Sequence, residues 1–337
     1  MSSSRKIIPK GDLQMSQNDT KDGIRIIFMG TPEFAACSLK ALIEAGYEIP
    51  LVVTQPDRKG NRNKMILSPV KQLALEHGLE TAQPVRIRRD KELIERLREI
   101  APDMIVVAAF GQILPRSVLD IPRLGCINVH GSLLPDLRGA SPMQGAILKG
   151  LDETGVTIMR MEEGLDTGDM ISRTSCDIRG MDITEVAAVL AEEGAKLLIE
   201  TIPHIADGTA VYEKQDDSLS SYAKMINKKD GLTDFSESAD VIERRIRAYL
   251  DWPTCYSYLD GLQVKFFRAE ALMDEKPDGE PGTVSETGKN FYTINCGAGK
   301  LRVSEQQLQG KKRMSAGDFM RGHQLNPGDR FAVPEGI

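Results

Sequence analysis

Short, densely apolar runs and longer amphipathic stretches alternate along the chain from Ile24 onward. "IRIIFMG", "IPLVVTQ", "MIVVAAF" and "CINVH" are rich in Ile and Val and bounded by turn residues. That is the signature of strands covered on both faces. Between them, "PEFAACSLKALIEAG", "SPVKQLALEHG" and "KELIERLREI" carry apolar residues at helical spacing. Gly46 stops the first, and the second has Ser68 as N-cap with Pro69 in the first helical position. Strand and helix in strict alternation predict a Rossmann-like, doubly wound parallel sheet. A long helix then opens at "MDITEVAAVLAEEGAKLLIETI", where Asp182 and Glu185 have capping-box spacing.

Beyond about residue 206 the texture changes. "ADGTAVYEKQDDSLSSYAKMINKKDG" is polar and irregular and reads as a linker, and "SADVIERRIRAYL" reads as one amphipathic helix. The short alternating runs "CYSYL", "LQVKFFRAEAL", "GTVSET", "FYTINC" and "KLRVSEQQL" follow. Their spacing predicts a small antiparallel OB-like β-barrel. The expected organisation is a disordered leader over 1–23, a catalytic domain over 24–205, a linker over 206–227, the OB-like domain over 228–330 and a tail over 331–337.

A length of 337 residues with 41% hydrophobic content suits two cores. The formal net charge of −6 gives no global attraction to nucleic acid or anionic membrane, so any polyanion contact must be local. Five scattered cysteines form no C-x-x-C pair and read as reduced and structural. The leader has no apolar core for a secretory signal, and no stretch approaches 18 consecutive apolar residues. A cytoplasmic protein without a membrane segment is expected.

Three segments carry candidate chemistry. "IIFMGTPEFA" places a single Gly30 after the first strand, where a dinucleotide site would need three glycines. Gly30 is then either a tight strand-to-helix turn or one wall of another ligand site. "TQPDRKGNRNKMILSPVK" inserts Arg58, Lys59, Arg62, Lys64 and Lys71 into the next strand-to-helix connection, at the same sheet edge. It reads as a solvated loop or a phosphate contact. In "NVHGSLLPDLRG", Asn128 and His130 stand two apart at a strand end, so both project to one side. An imidazole can take a proton near neutral pH and a fixed amide can donate to a developing oxyanion, as attack by an amine on a carbonyl requires. In "MRMEEGLDTGDM", Asp166 or Asp169 can orient that imidazole. His130 has no His or Cys neighbour at ligand spacing, so no metal is expected.

"NVHGSLLPDLRGASP" followed by "GLDTGDM" resembles the N10-formyltetrahydrofolate-dependent formyltransferase superfamily, whose signature is Asn-x-His-x-Ser-Leu-Leu-Pro with a later catalytic Asp. The resemblance implies that Asn128, His130 and Asp166 are the catalytic trio. It further implies that Ser132, Leu133, Leu134 and Pro135 form a folate-binding loop and that 10-formyltetrahydrofolate is the co-substrate. "GTPEFA", the "TQPDR" insertion and the "SADVIERRIRA…WP" region are similar to the branch that formylates the amino group of initiator methionyl-tRNA. On that resemblance Arg58, Lys59, Arg62 and Lys64 meet the tRNA acceptor end and the C-terminal domain meets the tRNA body. No obligate protein partner is implied. The chain departs from the pattern at "ACSL" after "GTPEFA" and at "YLDWP". Three readings compete: hydrolysis of the same donor, which leaves the basic insertion and the extra domain without a task; transfer to a smaller amine such as a sugar nucleotide or glycinamide ribonucleotide, against which the C-terminal half argues; and a non-catalytic RNA-binding protein, which leaves the trio unexplained.

Overall fold

The computed structural model describes residues 23–59 and 65–332. The expected leader (Gly23 apart), the last five residues of the expected tail, and Gly60, Arg62 and Lys64 of the insertion lie outside the described residues. The elements begin with β1 (Arg25–Gly30), α1 (Glu33–Glu44), β2 (Glu48–Val53), β3 (Arg58–Lys59), β4 (Met65–Ile66), α2 (Pro69–Glu76) and β5 (Thr81–Ala82). Next come α3 (Lys91–Ile100), β6 (Met104–Ala108), α4 (Arg116–Leu119), β7 (Cys126–His130), β8 (Arg138–Gly139), α5 (Pro142–Lys149) and β9 (Glu153–Arg160). β10 (Met170–Asp177), α6 (Ile183–Ala206), β11 (Tyr222–Ala223), α7 (Ala239–Ala248) and β12 (Cys255–Leu259) follow. The last are β13 (Leu262–Leu272), β14 (Val284–Thr287), β15 (Tyr292–Asn295), β16 (Lys300–Leu308), β17 (Met314–Ser315) and α8 (Ala316–Gly322). Of the described residues, those up to 142, with 153–177 and 187–223, form one compact unit, and 143–152, 178–186 and 224–332 form another.

The first unit is built on a seven-stranded sheet in the order β10-β9-β7-β6-β1-β2-β5. β1 pairs in parallel with both β2 and β6, and β7 continues in parallel beyond β6. From β1 the chain winds one way to β5 and then the other way to β7. The winding switches direction between β1 and β6, and α/β sheets of this kind bind ligands at the carboxyl ends of the strands beside such a switch. β9 runs antiparallel to β7 and β10 antiparallel to β9. Ile26, Ile27, Phe28 and Met29 of β1 are all buried, so apolar residues run consecutively rather than alternate. Ser68 caps α2 by accepting from the Lys71 amide at 3.2 Å, with Pro69 next. Gly30 ends β1 with no room for a side chain: a Cβ there would lie 2.8 Å from the Ala108 carbonyl oxygen and 2.7 Å from the Ala35 Cβ. That close strand-to-helix packing alone requires the glycine.

The second unit is organised around an antiparallel sheet in the order β12-β13-β16-β15-β14, with β17 on β16. Asp260 and Gly261 both take positive φ (49° and 77°) between β12 and β13, the two-residue turn that matches strand twist in a hairpin. Alternate residues of β12 are buried, Cys255, Ser257 and Leu259, as an antiparallel sheet with one covered face demands. α7 lies along β13 and β16 and buries Ile242 and Ile246. Phe235, Phe266, Tyr292 and Phe331 form an aromatic cluster, with Tyr292 stacked on Phe331 at 5.8 Å. Burying each such ring contributes on the order of 1.5–3 kcal/mol. Among the described residues no helix is long and apolar enough to cross a membrane.

Candidate active site

β7 lies inside the sheet, with Asn128 opposite Val107 on one side and Met159 on the other, and His130 opposite Thr157. The two-residue repeat of the strand turns both side chains to one face. His130 is buried, and its Nε2 lies 3.0 Å from the Leu137 carbonyl oxygen. A carbonyl only accepts, so Nε2 carries the hydrogen and Nδ1 is the nitrogen left for chemistry. Nδ1 faces the Asp166 Oδ2 at 3.8 Å.

Asp166 is held from two sides. Its Oδ2 accepts from the Gly139 amide at 2.9 Å and its Oδ1 from the Asn128 Nδ2 at 3.4 Å. Since a carboxylate only accepts, the amide of Asn128 must present nitrogen to it, which leaves the second N–H of that group for another acceptor. Of the two acids at suitable spacing, Asp166 is the one whose carboxylate reaches Asn128 and His130; the Asp169 carbonyl pairs with the Arg160 amide. Leu137 and Asp166 both sit in left-handed backbone, at φ 59° and 53°. That conformation costs a residue with a side chain roughly 1–2 kcal/mol. It occurs at the residues whose carbonyl meets one ring nitrogen of the imidazole and whose carboxylate faces the other.

The loop of Ser132 to Pro135 divides into two roles. Ser132 is fully buried and its Oγ donates to the Asp136 carbonyl at 2.7 Å. Leu134 is buried with Met159 and Met170, and its amide donates to the Thr157 Oγ1 at 3.1 Å. These two residues hold the turn. Leu133 and Pro135 remain partly exposed.

In the basic insertion, Arg58 and Lys59 form β3, paired antiparallel with β4. Lys71 belongs to a different arrangement: its Nζ lies 2.6 Å from the Asp57 Oδ2 and 2.6 Å from the Gln83 Oε1. Lys71 is therefore a structural cation, already neutralised. Its hydrogen bond is the main cause that holds the Asp57 carboxyl below its ordinary range.

Sequence reading missed the residues that support the site from behind. Arg138, at 2% exposure, donates from Nε to the Gln215 Oε1 at 2.9 Å and from Nη2 to the Asp217 Oδ1 at 2.8 Å. Burial works against its charge, and the hydrogen bonds to Asp217 and Tyr222 outweigh it, so its pKa stands above the ordinary arginine value. The Leu137 amide donates to the Ser221 Oγ at 3.1 Å, and β11 pairs in parallel with β8. Residues 213–223, expected as linker, are thus part of the site's framework. A side chain bonded to a carbonyl some fifty positions away leaves no periodic trace in the sequence. The thiol of Cys126 on β7 is buried, which pushes its pKa up to about 12.

Comparison with known proteins gives two family matches: a formyl transferase model over residues 24–202 and a formyl transferase C-terminal domain model over residues 225–324. A protein named methionyl-tRNA formyltransferase from Citrifermentans bemidjiense is 48% identical over 91% of this chain and 96% of its own length. One of the same name from Lachnospira eligens is 46% identical over 90% of this chain and 98% of its own. The crystal structure of an N-formyltransferase from Helicobacter canadensis, in complex with folinic acid and dTDP-3-aminofucose, superposes with a TM-score of 0.63. It is 18% identical, over 84% of this chain and all of that one, and shares the fold.

Proposed function

This chain belongs to the formyl transferase family, and we propose that its site moves a formyl group from 10-formyltetrahydrofolate to the α-amino group of methionyl initiator tRNA. The observation that carries the reading is likeness to methionyl-tRNA formyltransferases across nine-tenths of the chain, in both matched domains. The geometry of Asn128, His130 and Asp166 agrees with the chemistry. The amine nitrogen bonds to the formyl carbon, and the carbonyl electron pair moves onto oxygen. The free N–H of Asn128 donates to that oxygen, where charge develops. His130 takes or returns the amine proton at Nδ1 while Leu137 keeps Nε2 occupied. Collapse restores the carbonyl and breaks the bond to N10, which leaves with a proton. Asp166 balances the charge on the imidazole and orients the Asn128 amide.

Leu133 and Pro135 offer apolar surface for a flat ring beside the reacting atoms, with Ser132 and Leu134 fixing the turn beneath. Arg58, Lys59, Arg62 and Lys64 supply a basic loop for acceptor-end phosphates, which neutral side chains would not hold. The test is formyl transfer with 10-formyltetrahydrofolate and methionyl initiator tRNA, beside free methionine and a no-acceptor control that detects formate. Transfer to the charged tRNA alone supports the reading. Formate release without labelled tRNA makes the protein a hydrolase and sinks it.

A further inference from the structure

Residues 213–223 run beside both loops that carry the site. Glu213 and Met170 exchange backbone hydrogen bonds at 2.8 Å in each direction, and the Ser221 carbonyl accepts from the Arg138 amide at 2.8 Å. Between these anchors Gln215 is buried at 5% exposure. Its Nε2 donates to the Asp166 carbonyl at 2.9 Å and to the Gly168 carbonyl at 2.7 Å. The flip state of this amide is not arbitrary. Arg138 only donates, so Oε1 must face it and the NH2 group must face the two carbonyls.

We propose that Gln215 is a positioning residue for the Asp166 carboxylate, acting on the backbone of the 166–168 turn and not on the substrate. The turn holds two carbonyls that converge on one point, and a primary amide supplies two donors there. Without them the left-handed conformation of Asp166, φ 53°, keeps only the side-chain bonds from Gly139 and Asn128, and relaxing the backbone shifts the carboxylate against Asn128 and His130. The positioning runs from Asp217 through Arg138 and Gln215 to Asp166. It rests on the reading of Asp166 as a member of the catalytic group.

The test compares Gln215→Met, which keeps length and loses both donors, with wild type and with Asp166→Asn, singly and combined, in the full chain. Thermal midpoint, kcat, and KM for donor and tRNA are measured. Gln215→Met is expected to lower kcat roughly ten- to a hundredfold, the loss that misplacement of about 1 Å brings, with both KM values within about twofold. In the Asp166→Asn background the same substitution is expected to change kcat less than about twofold, because its effect passes through the missing carboxylate. Equal losses in both backgrounds, or an unchanged kcat beside a slow Asp166→Asn, overturn the proposal while leaving the catalytic reading intact. A normal kcat in Asp166→Asn removes the catalytic reading and the proposal with it. Should Gln215→Met not fold, Asp217→Asn, at an exposed side chain, weakens the same relay. Its roughly two- to fivefold loss of kcat must likewise vanish without the Asp166 carboxylate.

Discussion

Replacing Asp166 by Asn keeps the size and shape of the side chain and removes one charge. The Gly139 amide can still donate to the remaining oxygen, so the loop itself loses little. The new NH2 group then faces Asn128, nitrogen against nitrogen, so Asn128 must turn its oxygen toward position 166, which carries its second N–H away from the oxyanion. Loss of an oxyanion donor costs roughly 10²–10³ in rate. The charge contributes separately. At 3.8 Å a carboxylate and an imidazolium attract by about 4 kcal/mol at an effective dielectric of 20 and about 1 kcal/mol in water, which brackets the contribution. The two effects share one carboxylate and are not additive, so kcat is expected to fall by roughly 10²–10⁴. KM for donor and tRNA should stay within about threefold, because neither group is argued to grip the ground state. Single-turnover transfer at saturating substrates reads the step directly. Asp169→Asn serves as the matched control and should change kcat less than about twofold. A kcat for Asp166→Asn within about threefold of wild type would refute the assignment of the carboxylate, and equal losses at Asp166 and Asp169 would refute the choice between them.

Ser132→Ala removes a buried, satisfied hydroxyl and should cost about 1–3 kcal/mol of stability in denaturant unfolding with little change in donor KM, whereas Leu133→Ala should raise donor KM several-fold with stability nearly unchanged. The opposite assignment of effects would place the donor on the wrong side of the turn. The Lys71 and Asp57 pair predicts a pH dependence: the carboxyl of Asp57 is lowered in the folded protein by its bond to Lys71, so the unfolded chain binds the proton more readily. Its contribution is fully present above the unfolded value near 4 and is lost as pH falls through the folded one. Asp57→Asn should flatten that part of the acid limb of the unfolding curve and leave the neutral limb in shape; an unchanged acid limb would show the pair to be without net effect.

What the chain disclosed and what it hid follow the range of the interactions. Strand runs such as Met104 to Ala108 are apolar because both faces are covered, and that is a local property. The caps at Ser68 and Asp182 connect residues three apart, and the Asp182 amide indeed donates to the Glu185 Oε2 at 2.9 Å. Asn128 and His130 were legible for the same reason, since strand periodicity alone puts them on one side. From spacing alone Asp166 was legible as one of two acids and only the family resemblance singled it out, because the bonds that hold it come from Gly139 and Asn128, 27 and 38 positions earlier. Ser132 and Leu134 were legible as members of a motif, but motif membership does not tell a residue that touches substrate from one that holds the turn.

The buried charge of Arg138 shows most clearly why the rest was illegible. A buried arginine is costly unless its donors are satisfied, and its partners, Gln215 and Asp217, lie in a segment whose composition marks it as irregular. Polarity there reflects neither solvent exposure nor flexibility alone. Gln215 is polar because two backbone carbonyls of the neighbouring loop need donors where water is shut out. A site that stores strain at Leu137 and Asp166 must be held by groups outside the strained loops, since a loop cannot supply the force that keeps it in a disfavoured conformation. The segment after α6 meets that requirement, pairing β11 with β8 beside Leu137 and placing Gln215 behind Asp166. The chain must therefore pass through all of β9, β10 and α6 before the geometry of His130 is complete, and a chain that ends at α6 would hold the trio without the groups that aim it.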